Sequence, residues 1–458
     1  MSAMDASERS ERACGSEVPE EGRATIRPLT GPLRGSARVP GDKSISHRAV
    51  LFSAMAEGTS QVSGVLDSAD VRSSIAAVTA LGAEVSLSLQ PDGSLAGGIT
   101  GWGANGPREP EDAIDCGNSG TTARLLMGML APWPVRVTLT GDDSLKTRPM
   151  RRITAPLMKM GARFAPDGQE HLPITVCGTS SLRAIDYDAP MASAQLKTAV
   201  LLAGMYAEGT TTLREPAISR NHTELMLPEY GVPTTAAERT ASVTGPCVPH
   251  AAEIDVPGDP SSAAFLICAA AMKPGSAVQV EGVSLNTARI GFTRTLERMG
   301  ADIAVRSTGA EGKEPYGVIS LSYTDALRGC EVPAEKIASV IDEIPVLALV
   351  AAHARGVTVF REVGELRVKE TDRLAAIVEG LSLLGVDAWV ERNDLFIEGQ
   401  PRLATPAGLV FDAKRDHRLA MTWALAGLCG TAPVEVVGFD SVKVSYPQFL
   451  RDIEGLVR

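Results

Sequence analysis

Six times along the chain a short polar stretch runs into a helix-length stretch of small apolar residues, which breaks at Gly or Pro and gives way to a β-branched run. The copies start near Lys43, Asn118, Ser193, Pro260, Asp342 and Asp416; the first reads DKSISHRAVLFSAMAEGTSQV and the last KRDHRLAMTWALAGLCGTAPVEVV. Beyond its first turn each apolar stretch lacks a polar face, the pattern of a helix enclosed on all sides. A second marker falls between the copies. Gly82, Gly161, Gly231, Gly300 and Gly385 each close a helical pattern and precede a strand pattern, which is the place of a C′ glycine. The spacing of about 65–85 residues exceeds that of the common solenoid repeats and suits a compact α/β unit of two helices and several strands.

The 458 residues are enough for two or three domains with sizeable cores. Apolar residues make up 44% and charged residues 22%, the balance of a globular protein, and no apolar run reaches the roughly 18 residues of a membrane span. Acidic residues outnumber basic ones by 55 to 44, so a nucleic-acid partner is not expected, although a local basic cluster can still hold a small anion at a Debye length of roughly 8 Å. The seven cysteines are scattered with no CxxC pair, and neither zinc nor a redox dithiol is expected. No metal and no cofactor are implied, since GxGxxG and P-loop strings are also missing. A reducing compartment fits, and the chain is expected to be cytoplasmic. Residues 1–23 are acidic and poor in large apolar side chains, which reads as a disordered tail rather than a signal or transit peptide.

The polar residues of the repeats are confined to the helix starts. They are Lys43, Ser44, His47 and Arg48; Asn118, Thr121, Thr122 and Arg124; Ser193, Gln195 and Lys197; Asp259, Ser261 and Ser262; Asp342 and Glu343; and Asp416, His417 and Arg418. A helix N-terminus offers unpaired N–H groups and about half a positive charge, so several such ends would form an anion receptor. Ser, Asp, Asn and Thr at these places also serve as ordinary caps. Lys and Arg do not cap, and Lys43, Arg48, Arg124 and Arg418 stand against the dipole preference, which an anionic ligand explains.

Eight ordered stretches then carry a resemblance. VPGDKSISHRAVL (39–51), DCGNSGTTARLL (115–126), GDDSLKTRPM (141–150), MASAQLKTAVLLAG (191–204), VPGDPSSAAF (256–265), IDEIPVLAL (341–349), ELRVKETDRL (365–374) and DHRLAM (416–421) resemble the 5-enolpyruvylshikimate-3-phosphate synthase family of enolpyruvyl transferases. The resemblance implies an α/β fold of two similar domains, each of three βαβαββ units arranged as an inside-out α/β barrel, with the active site in the cleft between them. It places a discontinuous first domain at 24–42 plus 258–458 and an inserted second domain at 43–257, and it implies closure on substrate binding. The implied activity is transfer of the enolpyruvyl group of phosphoenolpyruvate to the 5-hydroxyl of shikimate 3-phosphate, the sixth step of the shikimate pathway to chorismate and aromatic amino acids.

By that resemblance Lys43, Ser44, Arg48, Ser193, Gln195, Arg220, Asp342 and Lys369 hold shikimate 3-phosphate, while Lys43, Gly120, Arg148, Gln195, Arg373 and Arg418 hold phosphoenolpyruvate. Asp342 is the implied base for the hydroxyl, and Glu370 the implied acid and base at the methylene carbon, roles that suit carboxylates beside cations. Read alone, Asp342 could be a helix cap and VKETDR an ordinary charged helix with Lys369 and Arg373 at i, i+4. His417 is read as supporting rather than contacting. The sequence departs from the family at Val444, where some members have a Lys, with Lys443 one step earlier, and at Ala194, which replaces a serine. Gly120 leaves room for the inhibitor glyphosate, where tolerant relatives carry Ala. The implied partners are these small molecules, with no nucleic acid or membrane, and the chain is expected to be a monomer. The competing readings are the same-fold transferase that acts on a UDP-sugar with a reactive loop cysteine, and a non-catalytic anion-binding scaffold.

Overall fold

The computed structural model describes residues 22–309, 313–401 and 403–458. Residues 1–21 of the expected acidic tail lie outside them. Arg23, assigned to that tail, instead opens the strand Arg23–Ile26, because its backbone pairs in register with Val437 and its guanidinium meets Glu435.

The six apolar stretches are the helices α1 (Lys43–Met55), α2 (Gly120–Leu130), α3 (Ala194–Gly204), α4 (Pro260–Met272), α5 (Ile344–Ala352) and α6 (His417–Leu428). All 13 residues of α4 and all nine of α5 are buried, as a helix without a polar face requires. Five of the six starts are capped by a side chain. Asp42, Ser119, Ser193, Asp259 and Asp416 accept from backbone N–H groups two or three residues on, and Pro260 occupies the first turn of α4, where its missing N–H costs nothing.

Four helices, α2, α3, α5 and α6, each link two parallel strands of one sheet, whereas α1 and α4 lead into Thr59–Leu66 and Ala277–Ser284, whose parallel partners Glu253–Asp255 and Arg34–Arg38 lie elsewhere in the chain; after every helix but α6 a hairpin adds two antiparallel strands. After α2, for example, Arg136–Thr140 lies parallel to Ile114–Asp115 and antiparallel to Ile174–Cys177, which pairs with Arg163–Ala165. Five sheets have these four strands. In the sixth, Leu409–Asp412 and Val434–Val437 run parallel, and the antiparallel partner is Arg23–Ile26 from the opposite end of the chain. The order strand–helix–strand–helix–strand–strand therefore recurs five times among the described residues, the sixth copy lacking the closing hairpin, and Gly82, Gly161, Gly231, Gly300 and Gly385 close the second helical segments at φ between 73° and 115°, a region open to glycine.

The chain forms two compact units. One comprises 22–39, Gly258–Gly309 and Pro315–Arg458, and the other Pro40–Pro257 with Lys313 and Glu314. Each has three of the six sheets and its own apolar core. In the first unit Arg34–Arg38 is the parallel edge beside Ala277–Ser284, and in the second Glu253–Asp255 lies parallel beside Thr59–Leu66. Both central strands shift register at the same place, between Val280 and Val283 and between Val62 and Val65. Among the described residues no helix is long and apolar enough to cross a membrane.

Candidate active site

In the second unit the site grows from a close helix approach. A Cβ on Gly128 would stand 2.3 Å from the Ala199 carbonyl oxygen, so only glycine lets α2 and α3 come this near. One turn earlier on each helix, the approach brings Arg124 against Gln195, whose Oε1 accepts from Arg124 Nη1 at 2.8 Å and from Arg152 Nη2 at 3.4 Å. The Gln195 amide donates in turn to Thr121 Oγ1 at 3.0 Å. Arg148 donates to Asn118 Oδ1 at 2.7 Å and to Ser144. The hydrogen-bond partners of Arg124 and Arg148 are thus neutral groups, and burial together with the neighbouring guanidiniums of Arg152 and Arg148 pushes Arg124 down to about 9. Gly120 opens this helix, and a Cβ there would lie 2.8 Å from Arg124 Nη1 and 3.6 Å from Arg148 Nη1.

A second group of side chains forms around α1. Arg48 is almost wholly buried and donates to Thr223 Oγ1 and Thr198 Oγ1, both at 2.8 Å, and to the Ser44 carbonyl at 3.0 Å. Burial lowers its pKa to about 10 against the opposing pull of Glu224. Lys43 pairs with Asp70 at 3.1 Å, and Arg220 is close enough to Arg48 to repel it. His47 joins α1 to α2 through a chain of short bonds: Nδ1 to Ser74 at 2.8 Å, Ser74 to Thr122 at 2.7 Å and Thr122 to the cap Ser119 at 2.7 Å. Lys197, grouped by sequence with the exposed helix starts, is instead buried between Glu215 at 2.9 Å and Glu224 at 2.8 Å. It lies a full turn into α3, and an ammonium there must be paired.

In the first unit α5 begins without a side-chain cap, because the carboxylates at its start are engaged elsewhere. Asp342, read as either cap or base, does not cap α5. Its carboxylate faces Arg373 at 3.3 Å, Arg418 at 3.8 Å and Lys369 at 3.9 Å. Glu343 accepts from Ser261 and from Arg418 Nη1 at 3.4 Å, and burial raises its pKa although Arg418 opposes the shift. VKETDR is not a helix. A 3-10 turn ends at Val368, Lys369 and Glu370 are extended or bent, and the next helix, Arg373–Leu383, starts behind the cap Asp372. This bend lets Glu370 reach back to Arg373 at 2.7 Å while Lys369 bonds Glu365 at 2.6 Å. Arg373 is fully buried. Burial would weaken its charge, but Glu370, Asp416 and Asp342 outweigh that and hold it above its ordinary pKa. His417 is buried in the first turn of α6, and Lys443 is exposed.

Asp342, Lys369, Glu370, Arg373 and Arg418 therefore share one network in the first unit. Gly120, Arg148 and Gln195 meet in the second around Arg124, and Arg48 meets Ser44 and Arg220 beside α1. Sequence reasoning missed Arg152, marked Arg124 as a cation that an anionic ligand explains without assigning it to a substrate, and left Thr121 as a helix-start residue. The pair Arg151–Arg152 three residues after Arg148 was the available signal, and the structure separates its members, since Arg151 turns out to Glu170. Cys116 is buried and its thiol is pushed up to about 12 by that burial, the opposite of a reactive loop cysteine. Among the described residues no group of three or more His, Cys, Asp or Glu could hold a metal ion.

A sequence model of the family described as EPSP synthase (3-phosphoshikimate 1-carboxyvinyltransferase) matches residues 29–453. A protein of Halorhodospira halophila named 3-phosphoshikimate 1-carboxyvinyltransferase is 45% identical over 422 residues, covering 92% of this chain and 93% of its own length. The 2.37 Å structure of EPSP synthase from Acinetobacter baumannii superimposes with a TM-score of 0.85 at 37% identity, covering 95% of this chain and 98% of its own. The enolpyruvyl transferase NikO from Streptomyces tendae shares the fold, with a TM-score of 0.75 at 19% identity over 96% of this chain and 98% of its own.

Proposed function

The chain belongs to the EPSP synthase family, and from that premise we propose that it transfers the enolpyruvyl group of phosphoenolpyruvate to the 5-hydroxyl of shikimate 3-phosphate, releasing phosphate on the path to chorismate. The observation that carries this reading is the contrast between the two clusters. One presents arginines held by neutral partners, a setting that invites an anion. The other surrounds Asp342 with three cations and adds Glu370.

Both substrates carry a phosphate and a carboxylate, and charge-assisted bonds contribute roughly 1.5–3 kcal/mol each. Lys43, Ser44, Arg48, Ser193, Gln195, Arg220 and Lys369 bind shikimate 3-phosphate in this reading. Lys43, Gly120, Arg148, Gln195, Arg373 and Arg418 bind phosphoenolpyruvate, and Arg124 and Arg152 hold Gln195 toward it. Asp342 takes the proton of the 5-hydroxyl as that oxygen attacks C2 of phosphoenolpyruvate, and Glu370 delivers a proton to the methylene carbon. The tetrahedral adduct then loses phosphate as Glu370 takes a proton back from the same carbon, which restores the enol ether. The chain works as a cytoplasmic monomer, and glyphosate competes at the arginine cluster beside Gly120.

Phosphate release from the two substrates, measured with the wild type and with Asp342→Asn, tests the reading. The wild type should turn over, and the variant should lose 10²–10⁴-fold in kcat, about the range of a positioned general base. Full turnover by Asp342→Asn, or none by the wild type, rejects it.

A further inference from the structure

Lys197, Glu215 and Glu224 form a closed ionic triad whose side chains are only 6%, 2% and 4% exposed. A contribution to fold stability does not account for it. Taking three charges out of water costs several kcal/mol per ion, and a buried ion pair is commonly no more stable than apolar residues of the same volume. The triad also carries one negative charge in excess, which is unexpected within a unit whose candidate ligands are anions.

Its connections supply the reason. Glu215 Oε1 accepts the Ser193 backbone N–H at 2.8 Å, which pins the loop entering α3. Glu215 Oε2 accepts from Lys197 at 2.9 Å and from Ser219 Oγ at 2.8 Å, which pins the loop that carries Arg220. Glu224 lies on the short helix His222–Met226 next to Thr223, the residue that receives Arg48 Nε, and it acts on Arg48 as the largest favourable charge. One Glu224 oxygen is bonded to Lys197, and the other, Oε2, is buried with no hydrogen-bond partner. Three separate segments, bearing Ser193, Arg220 and the seat of Arg48, are thus tied to one ammonium.

We propose that Lys197, Glu215 and Glu224 are positioning residues for the phosphorylated sugar acid, setting the two loops and the Arg48 seat in the geometry that binds it. The inference rests on the reading of Ser193, Arg48 and Arg220 given above. Among the described residues the side-chain bonds of the triad reach Ser193 and Ser219 and no candidate phosphoenolpyruvate residue, so its loss should act first on the phosphorylated sugar acid.

The test uses the full chain and two readouts, calorimetric binding of shikimate 3-phosphate alone and steady-state kinetics with each substrate varied. Glu215→Gln keeps the shape and removes the charge, and Lys197→Met removes the hub. Both should weaken shikimate 3-phosphate binding by about tenfold or more and raise its KM in step, with kcat and the phosphoenolpyruvate KM within about threefold of wild type. Tyr230→Phe, which removes the buried hydrogen bond to Ser53 in the same unit, supplies a destabilised control whose affinity should not change. Should Lys197→Met fail to fold, Glu215→Gln decides alone. Unchanged affinity in a folded Glu215→Gln with a lowered melting temperature overturns the proposal and leaves a purely structural triad. A wild type that binds no shikimate 3-phosphate overturns the functional reading instead.

Discussion

Gly120 and Arg124 show how much a single methyl group can decide. An alanine at position 120 places its Cβ 2.8 Å from the Arg124 guanidinium, too close for either to stay put, and Arg124 is the flexible partner. Gly120→Ala should therefore move the arginine cluster rather than unfold the helix. We expect the phosphoenolpyruvate KM to rise about fivefold to tenfold and the glyphosate inhibition constant to rise further, with the melting temperature within a few degrees of wild type. Inhibition kinetics on the purified variant check this, and equal sensitivity of the two proteins would refute it. At this scale the sequence was informative where a charged residue stands against local preference. Lys43, Arg48, Arg124 and Arg418 oppose the helix dipole and all lie in the clusters described. Lys197 stands among the helix-start polar residues without that mark, and its role becomes readable only once the burial of its glutamate neighbours is known.

Among the elements, α2 and α3 depend on the Gly128–Ala199 contact. A Cβ at position 128 would overlap the Ala199 backbone, which cannot yield as a side chain can, so Gly128→Ala must separate the helices. The expected cost is about 1–3 kcal/mol, the range for overpacking a close-packed interior. Because Arg124 and Gln195 sit one turn before the contact, catalytic efficiency should fall together with stability. Denaturant unfolding and kcat/KM measured on one preparation report both, and a loss of stability with unchanged kinetics would show that the approach does not set the site. The six buried helices and the glycine-closed segments were legible from hydrophobic pattern alone. The bend at Lys369–Glu370 was not. VKETDR carries good helix formers, and what breaks the helix is the cap Asp372 together with the pull of buried Arg373 on Glu370, a partner the local pattern cannot reveal.

For the whole molecule, pH stability follows from groups whose protonation differs between the folded and unfolded chain. Burial lowers His47 to about 4, so between that value and its ordinary 6.5 the unfolded chain holds the extra proton. Its contribution is fully present above pH 6.5 and is lost as pH falls through that window, by about 3 kcal/mol in all. Glu343 acts in the opposite sense, since its raised pKa favours the folded state at low pH. Comparing wild type with His47→Asn isolates the histidine. The difference in unfolding free energy should shrink between pH 7 and pH 5, and a difference independent of pH would exclude the titration. By itself the sequence determined the repeated unit, its count, the enclosed helices and the stretches that carry the chemistry, because periodicity and capping are local properties of the chain. Only the tertiary structure decided that Arg23–Ile26 completes the last sheet, that Asp342 faces cations rather than capping a helix, and that Lys197 is paired with two glutamates. Each of these depends on segments far apart in sequence, and the energy of a buried charge is set by whatever the fold brings beside it.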